Sequence, residues 1–162
     1  MRGLVKDEMN KNVKTVGPEE SVRDAAEKMS KYWMGSVVVT ENDGIVGIVT
    51  ERDIMKKVIV TGKDPRKTKI REVMTAEVIT IEEGRSLSEA VGIMKAHDIK
   101  KLPVLRNGKL VGIITTTDII TAMDENIKEG ITGLDSYRDL KVLVRRHAID
   151  LRREMEKNHV LT

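Results

Sequence analysis

The chain has no cysteine and no phenylalanine, and aromatic residues make up only 2% of its 162 positions. Without cysteine there can be no disulfides, zinc–thiolate sites or thiol nucleophile, and nothing marks an oxidising compartment. So few aromatic rings make stacking platforms for single-stranded nucleic acid improbable. The interior must instead be built from Val, Ile, Leu and nine Met. The three histidines, His97, His147 and His159, fall on separate segments without ligand spacing, so no metal site is expected. Glutamine is also absent, and with abundant Lys and Glu this leans toward a thermophilic source. Neither an 18-residue apolar run nor a signal-peptide pattern is found, so no membrane role is expected and the reading is of a soluble cytoplasmic protein.

Charge of one sign is lacking too. Twenty-nine Lys and Arg face 26 Asp and Glu, for a net charge of +3, and a balanced surface gives no footprint for DNA or RNA. The Arg-rich stretch 124–162 is itself neutral, with eight basic and eight acidic residues.

What is present is a repeat. Residues 5–58 align with 70–123 without a gap at an offset of 65, giving 14 identities in 54 positions, among them Met9/Met74, Ser21/Ser86, Gly47/Gly112, Thr50/Thr115 and Asp53/Asp118. Each copy runs through one order of patterns. A short β-branched run (13–16 or 78–81) leads to a turn and to Ser21 or Ser86, which cap an amphipathic helix. Two strands follow (36–40 with 45–49, or 102–105 with 110–114), joined through Asn42-Asp43-Gly44 or Arg106-Asn107-Gly108 as hairpins. A closing helix starts at Thr50 or Thr115. The fold class is α/β (α+β): two β-α-β-β-α motifs, each with an apolar lead-in at 5–9 or 70–74. Neither three-stranded half could bury its apolar face alone, so the halves should pack about a pseudo-twofold axis. The expected division is 1–65, 66–124 and a C-terminal extension at 125–162, with 62–69 as an exposed linker and 135–158 as a long helix.

The candidate site is the stretch GIVTERDI at 47–54 and its echo GIITTTDI at 112–119. Thr-x-x-Asp at a helix start is explained by capping, with the acid also favoured by the helix dipole. The same geometry gathers backbone N–H groups, a hydroxyl and a carboxylate at a strand-to-helix turn, where a ribose or phosphate could dock. Two copies at one register favour the functional reading. Tyr32 and Trp33 are expected at a module or dimer interface.

The ordered motif set, with Met9, 13–16, Ala25, Met29, GSVVV at 35–39 and GIVTERDI, then Met74, 78–81, Ala90, Met94, KKLPV at 100–104 and GIITTTDI, resembles a tandem pair of CBS (cystathionine-beta-synthase) motifs, a Bateman module. The resemblance implies an adenosine ligand (AMP, ADP, ATP or S-adenosylmethionine) held in clefts between the motifs, and no catalysis. Carried over by position, one cleft would combine Val13, Lys14, Gly35, Ser36 and Val37 with Thr115 and Asp118. The other would combine Val78, Ile79, Lys100, Lys101 and Leu102 with Thr50, Arg52 and Asp53. Only the second is rich in cations, so it should prefer phosphorylated ligands. The resemblance also implies a homodimer. The chain shows no Ser-His pairing, phosphate loop or metal cluster, so an enzyme is not expected. The alternative is a ligand-free scaffold that recruits a protein partner through its C-terminal helix.

Overall fold

The structure is a computed structural model and describes residues 3–123. The expected C-terminal helix at 135–158 lies outside the described residues. The chain divides into two compact units, Met1–Thr116 and Thr117–Thr162. The first holds both sheets, and the second begins one residue into the helix that closes the second repeat.

In the first repeat, α1 (Val5–Glu8) precedes β1 (Thr15–Val16), α2 (Val22–Tyr32), β2 (Ser36–Glu41), β3 (Gly44–Thr50) and α3 (Glu51–Ile54), which runs on into a π-helical turn at Met55–Ile59. In the second, a 3-10 turn (Ile70–Glu72) precedes β4 (Ile81–Glu82), α4 (Leu87–Ala96), β5 (Lys101–Arg106), β6 (Lys109–Thr115) and α5 (Thr116–Met123). Each repeat forms its own sheet of order β1-β2-β3 or β4-β5-β6, the first pair parallel and the second antiparallel. The fold is the expected one, a pseudo-twofold pair of β-α-β-β-α motifs.

Local chemistry explains the elements. Ser21 and Ser86 accept from the N–H of Asp24 and Glu89 at 3.2 Å, and those acids accept from the serine N–H at 3.0 and 2.9 Å, so both first helices start in reciprocal capping boxes. The hairpins turn on Asn42 and Asp43 (φ 49° and 63°) and on Asn107 and Gly108 (φ 51° and 77°), paired positive φ values that suit a two-residue hairpin. The residues at 62–69 are mostly exposed, yet the carbonyls of Pro65 and Thr68 accept from the N–H groups of Arg23 and Val22 at 3.0 Å, satisfying orphan donors in the first turn of α2.

One expectation shifts. The first strands are shorter than the runs 13–16 and 78–81, being confined to Thr15–Val16 and Ile81–Glu82. The reason is where the preceding lead-ins go. Asn10 exchanges backbone hydrogen bonds with Ile113 of the second sheet at 2.9 and 3.0 Å, and Thr75 does the same with Ile48 of the first at 2.9 and 3.0 Å. The segments from 11 to 14 and from 76 to 80 are therefore spent crossing from one repeat to the other.

The lead-ins are thus exchanged, and the backbone bonds that anchor them recur at the offset of 65. Val5 donates to the Arg85 carbonyl at 2.8 Å as Ile70 donates to that of Glu20 at 3.0 Å; Lys6 donates to Glu83 as Arg71 does to Pro18, each at 3.0 Å. Ile70 and Val73, both fully buried, belong to the core built by Val16, Val22, Ala25, Met29, Val37, Val39 and Val49 of the first repeat. Gly47 and Gly112 make room for the docking. A Cβ at Gly47 would stand 2.5 Å from Met74 Sδ and 2.9 Å from its Cγ, and one at Gly112 would collide in the same way with Met9. Each glycine follows a bulge in its hairpin, where Val39 pairs with Gly47 but Thr40 with Ile45, and Val104 with Gly112 but Leu105 with Leu110.

Candidate ligand site at the strand-to-helix mouths

The site is best built from the ends of the hairpins. Antiparallel pairing sets Ser36 opposite Thr50 and Lys101 opposite Thr115. Past each end the chain turns into a helix, and that turn is pinned by a backbone bond: Glu51 N–H to the Gly35 carbonyl at 3.1 Å, and Thr116 N–H to the Lys100 carbonyl at 3.0 Å. Every mouth therefore offers a threonine, a helix start with an aspartate in its first turn, and the residues before a buried strand.

At the first mouth Thr50 Oγ1 accepts from the Asp53 N–H at 3.1 Å, while Asp53 Oδ2 accepts from the Thr50 N–H at 3.0 Å and from its hydroxyl at 2.6 Å. Lys57 Nζ stands 3.1 Å from Asp53 Oδ1 and also donates to the Val73 carbonyl at 2.6 Å. The carboxylate is held in place from both sides. A carboxylate offers about four acceptor positions; Oδ2 uses two and Oδ1 one, which leaves capacity for a further donor such as a hydroxyl. Both the capping and the binding readings of Thr50-x-x-Asp53 fit one geometry.

Partial burial pushes the Asp53 carboxyl up, but the hydrogen bonds from Thr50 and Lys57, with the charge of Lys57, outweigh it and hold the group below the ordinary aspartate range. A carboxyl whose folded value is depressed contributes stability above the unfolded value, about 3.9, and that contribution is lost as pH falls through the folded value. Asp53→Asn should therefore lower stability at pH 7 and flatten the acid limb of the stability curve below pH 4. Urea midpoints from pH 7 to pH 2.5 measure this; parallel curves for parent and variant would contradict it.

The other residues of the same proposed cleft lie in the same compact unit. Val78 and Ile79 are half-buried just before β4, Lys100 is exposed, Lys101 is half-buried and Leu102 is fully buried. Leu102 can offer a ligand only its backbone, since its side chain belongs to the core. Arg52 is exposed in the first turn of α3.

For the counterpart cleft, Val13 and Lys14 are half-buried, Gly35 and Thr115 are half-buried, and Ser36 and Val37 are buried. Lys14 Nζ donates to Asn12 Oδ1 at 2.7 Å and lies 4.6 Å from the centre of the Tyr32 ring. Asp118 is half-buried in the first turn of α5, in the second unit.

Two features escape the sequence reading. Glu51 is not among the expected site residues, yet its carboxylate lies against Gly35: a Cβ there would be 3.2 Å from Glu51 Oε2. The signal existed, because a residue opening a helix after β3 must return beside the residue that precedes β2. One mouth therefore carries an acid where the other carries Lys100. The second is a bond across the repeats, Lys101 Nζ to Ser36 Oγ at 2.9 Å. Positions 36 and 101 are counterparts at the offset of 65, so the bond falls where the pseudo-twofold axis passes.

A separate groove of about 660 Å³ runs between β4 and α4, lined by residues including Ile81, Arg85, Gly92, Ile93 and Ala96. It contains none of the expected site residues. In the first repeat the counterparts of Gly92, Ile93 and Ala96 are Glu27, Lys28 and Lys31, and Lys28 Nζ spans the space to the Thr15 carbonyl at 2.6 Å.

A family model for the CBS domain matches the chain twice, over residues 5–60 and 70–125. The chain belongs to the CBS domain family. It is 43% identical over 112 residues to an uncharacterized protein of Methanopyrus kandleri, covering 68% of this chain and 57% of that protein, so it spans little more than half the length of that relative. Among solved structures, an uncharacterized conserved protein from Pyrococcus horikoshii is 34% identical with a TM-score of 0.70, over 76% of this chain and 93% of that one. The CBS domain pair of protein MJ0100, solved in complex with 5′-methylthioadenosine and S-adenosyl-L-methionine, is 28% identical with a TM-score of 0.69, over 76% and 98% of the two chains. The two CBS matches coincide with the two halves of the 65-residue repeat.

Proposed function

We propose that this CBS pair is a non-catalytic regulatory module that binds an adenosine compound where the two motifs meet, as a cytoplasmic sensor of an energy or methyl-donor metabolite. The observation that carries the reading is the mouth at Thr50–Asp53: a carboxylate preorganised by two hydrogen bonds from Thr50 and by a lysine, with acceptor capacity left, at a helix start. The MJ0100 pair supports the ligand class, since it is a domain pair of the same fold bound to adenosyl compounds. In this reading Asp53 accepts from ribose hydroxyls, Arg52, Lys100 and Lys101 meet phosphate, and the strands after Ile79 and Lys101 wall the adenine. A less charged ligand suits the surroundings of Val13, Lys14, Gly35, Ser36, Val37 and Thr115 in the first unit, because Glu51 lies against Gly35 and would repel phosphate.

A ligand can act here only through different affinities for two arrangements of the module. Output then passes through a homodimer or a target protein. An exposed apolar run supports such a contact: Met55, Ile59 and Val60 keep 60%, 63% and 76% of their surface, and Tyr32 and Trp33 keep 43% and 52%.

The test is isothermal titration calorimetry of the full chain against AMP, ADP, ATP and S-adenosylmethionine, with Asp53→Ala and Asp118→Ala beside the parent. One or more ligands should bind the parent, and one variant should lose a ligand while remaining folded. No heat from any of them at two temperatures, with the purified protein shown to be nucleotide-free, would leave the scaffold reading instead.

A further inference from the structure

The Asp53 carboxylate has a cation for a neighbour. Lys57, one helical turn on, places Nζ 3.1 Å from Asp53 Oδ1 and also donates to the Val73 carbonyl at 2.6 Å. That carbonyl belongs to the lead-in docked from the second repeat, so the ammonium is steadied from outside its own helix. Lys57 sits in the π-helical turn Met55–Ile59, and such turns recur at functional sites. The pair is not a requirement of the repeat. The residue 65 positions on from Lys57 is Ala122, in α5, so a helix forms after the second Thr-x-x-Asp without a lysine at that place.

Counting hydrogen-bond positions shows what the pair has left. A carboxylate oxygen accepts about two bonds. Asp53 Oδ2 already accepts from the Thr50 N–H and hydroxyl, at 3.0 and 2.6 Å, so its capacity is used. Among the described residues Oδ1 accepts from Lys57 alone, which leaves it one position. An ammonium has three donors, and that of Lys57 engages two acceptors among the described residues, which leaves one donor. The Asp53 and Lys57 side chains keep 17% and 43% of their surface, enough for a small polar group to reach both. What remains is one acceptor and one donor on adjacent atoms.

We propose that Asp53 and Lys57 together read a vicinal diol, Oδ1 accepting from one ribose hydroxyl and Lys57 Nζ donating to the oxygen of the other. The inference rests on the ribose reading of Asp53 and adds the residue that completes it. With one position left, the carboxylate takes one hydroxyl, and the second needs Lys57. The two oxygens of a cis diol stand nearly as close together as Oδ1 and Nζ do, so one edge of a ribose spans both. Each bond involves a charged group and is stronger than one between neutral partners. The bond to Val73 limits where Nζ can stand, which reduces the ordering required when a ligand arrives. A 2′- or 3′-deoxy nucleotide leaves one of the two charged atoms without its partner, and the site discriminates against it on that ground.

Calorimetry of the full chain with AMP, 2′-deoxy-AMP and 3′-deoxy-AMP tests this, because all three carry the same base and phosphate. The parent should bind AMP at least about tenfold more tightly than either deoxy form, the usual worth of a bond to a charged group. In Lys57→Met one deoxy form should bind within a factor of about two of AMP, since the hydroxyl it lacks no longer has a partner, while Asp53 still disfavours the other. Lys57→Ala, which copies the residue at position 122, should give the same pattern and serves if the methionine variant fails to fold; urea midpoints check folding. A folded variant that keeps the parent's discrimination against both deoxy forms, or that weakens all three ligands equally, would overturn the proposal and leave the site reading standing. So would a parent that discriminates against one deoxy form alone. A parent that binds none of the three would overturn the site reading, and the proposal with it.

Discussion

Ile70→Ala should destabilise the protein by about 4 kcal/mol, near the upper part of the range for emptying a buried aliphatic position. Ile70 is fully buried, and the cavity would open among Val16, Val22, Val37 and Val49 of the first repeat rather than among the residues that follow it in the chain. Its neighbours are fixed by strands and by α2, so little collapse can refill the space. Against a total stability of about 5–15 kcal/mol for a domain, the loss would leave a marginal fold. Urea denaturation followed by circular dichroism checks this, with the midpoint falling and the slope kept. A loss under about 1 kcal/mol would mean that the exchanged lead-in does not hold the first core together.

The second large effect concerns charge at the ligand site. Arg52→Ala combined with Lys100→Ala should abolish most of the preference for AMP over adenosine, an expected drop of about 100-fold in AMP affinity with adenosine nearly unchanged. Two charge-assisted hydrogen bonds of roughly 1.5–3 kcal/mol each would account for it, even after discounting for their exposure. Both side chains are exposed and neither belongs to the core, so the variant should unfold at the parent's urea midpoint. Equal losses for AMP and adenosine would show that the cations shape the cleft instead of reading phosphate.

Much of this architecture is legible in the sequence because the determinants are local. Ser21 with Asp24, Ser86 with Glu89 and Thr50 with Asp53 announce three helix starts, and all three are formed as reciprocal boxes. The paired positive φ values at Asn42-Asp43 and Asn107-Gly108 fall at the expected hairpin turns. The repeat itself implies two like sheets.

What a sequence does not display is partnership between distant segments. Nothing about Val5 or Ile70 as apolar residues says whose core each enters, and the exchange becomes visible only when Gly47 is found against Met74 and Gly112 against Met9. The same blindness shortened the first strands, since the residues at 11–14 and 76–80 were needed for the crossing. At the site, the repeat placed Thr50 and Asp53 correctly on a helix start, while the carboxylate of Glu51 against Gly35 and the bond from Lys101 to Ser36 depended on three-dimensional return. The first sets a side chain against a turn and the second joins two side chains across the repeats, and periodicity encodes neither.

The most direct test of the central claim is to follow backbone amide chemical shifts of the isotopically labelled full chain while AMP is added. The claim is that residues of both repeats form one cleft. It predicts that Thr50, Arg52 and Asp53 shift together with Val78, Ile79, Lys100 and Lys101 along a single binding curve, and that Asp53→Ala suppresses both sets. Shifts confined to one repeat, or two sets with unrelated midpoints, would contradict it.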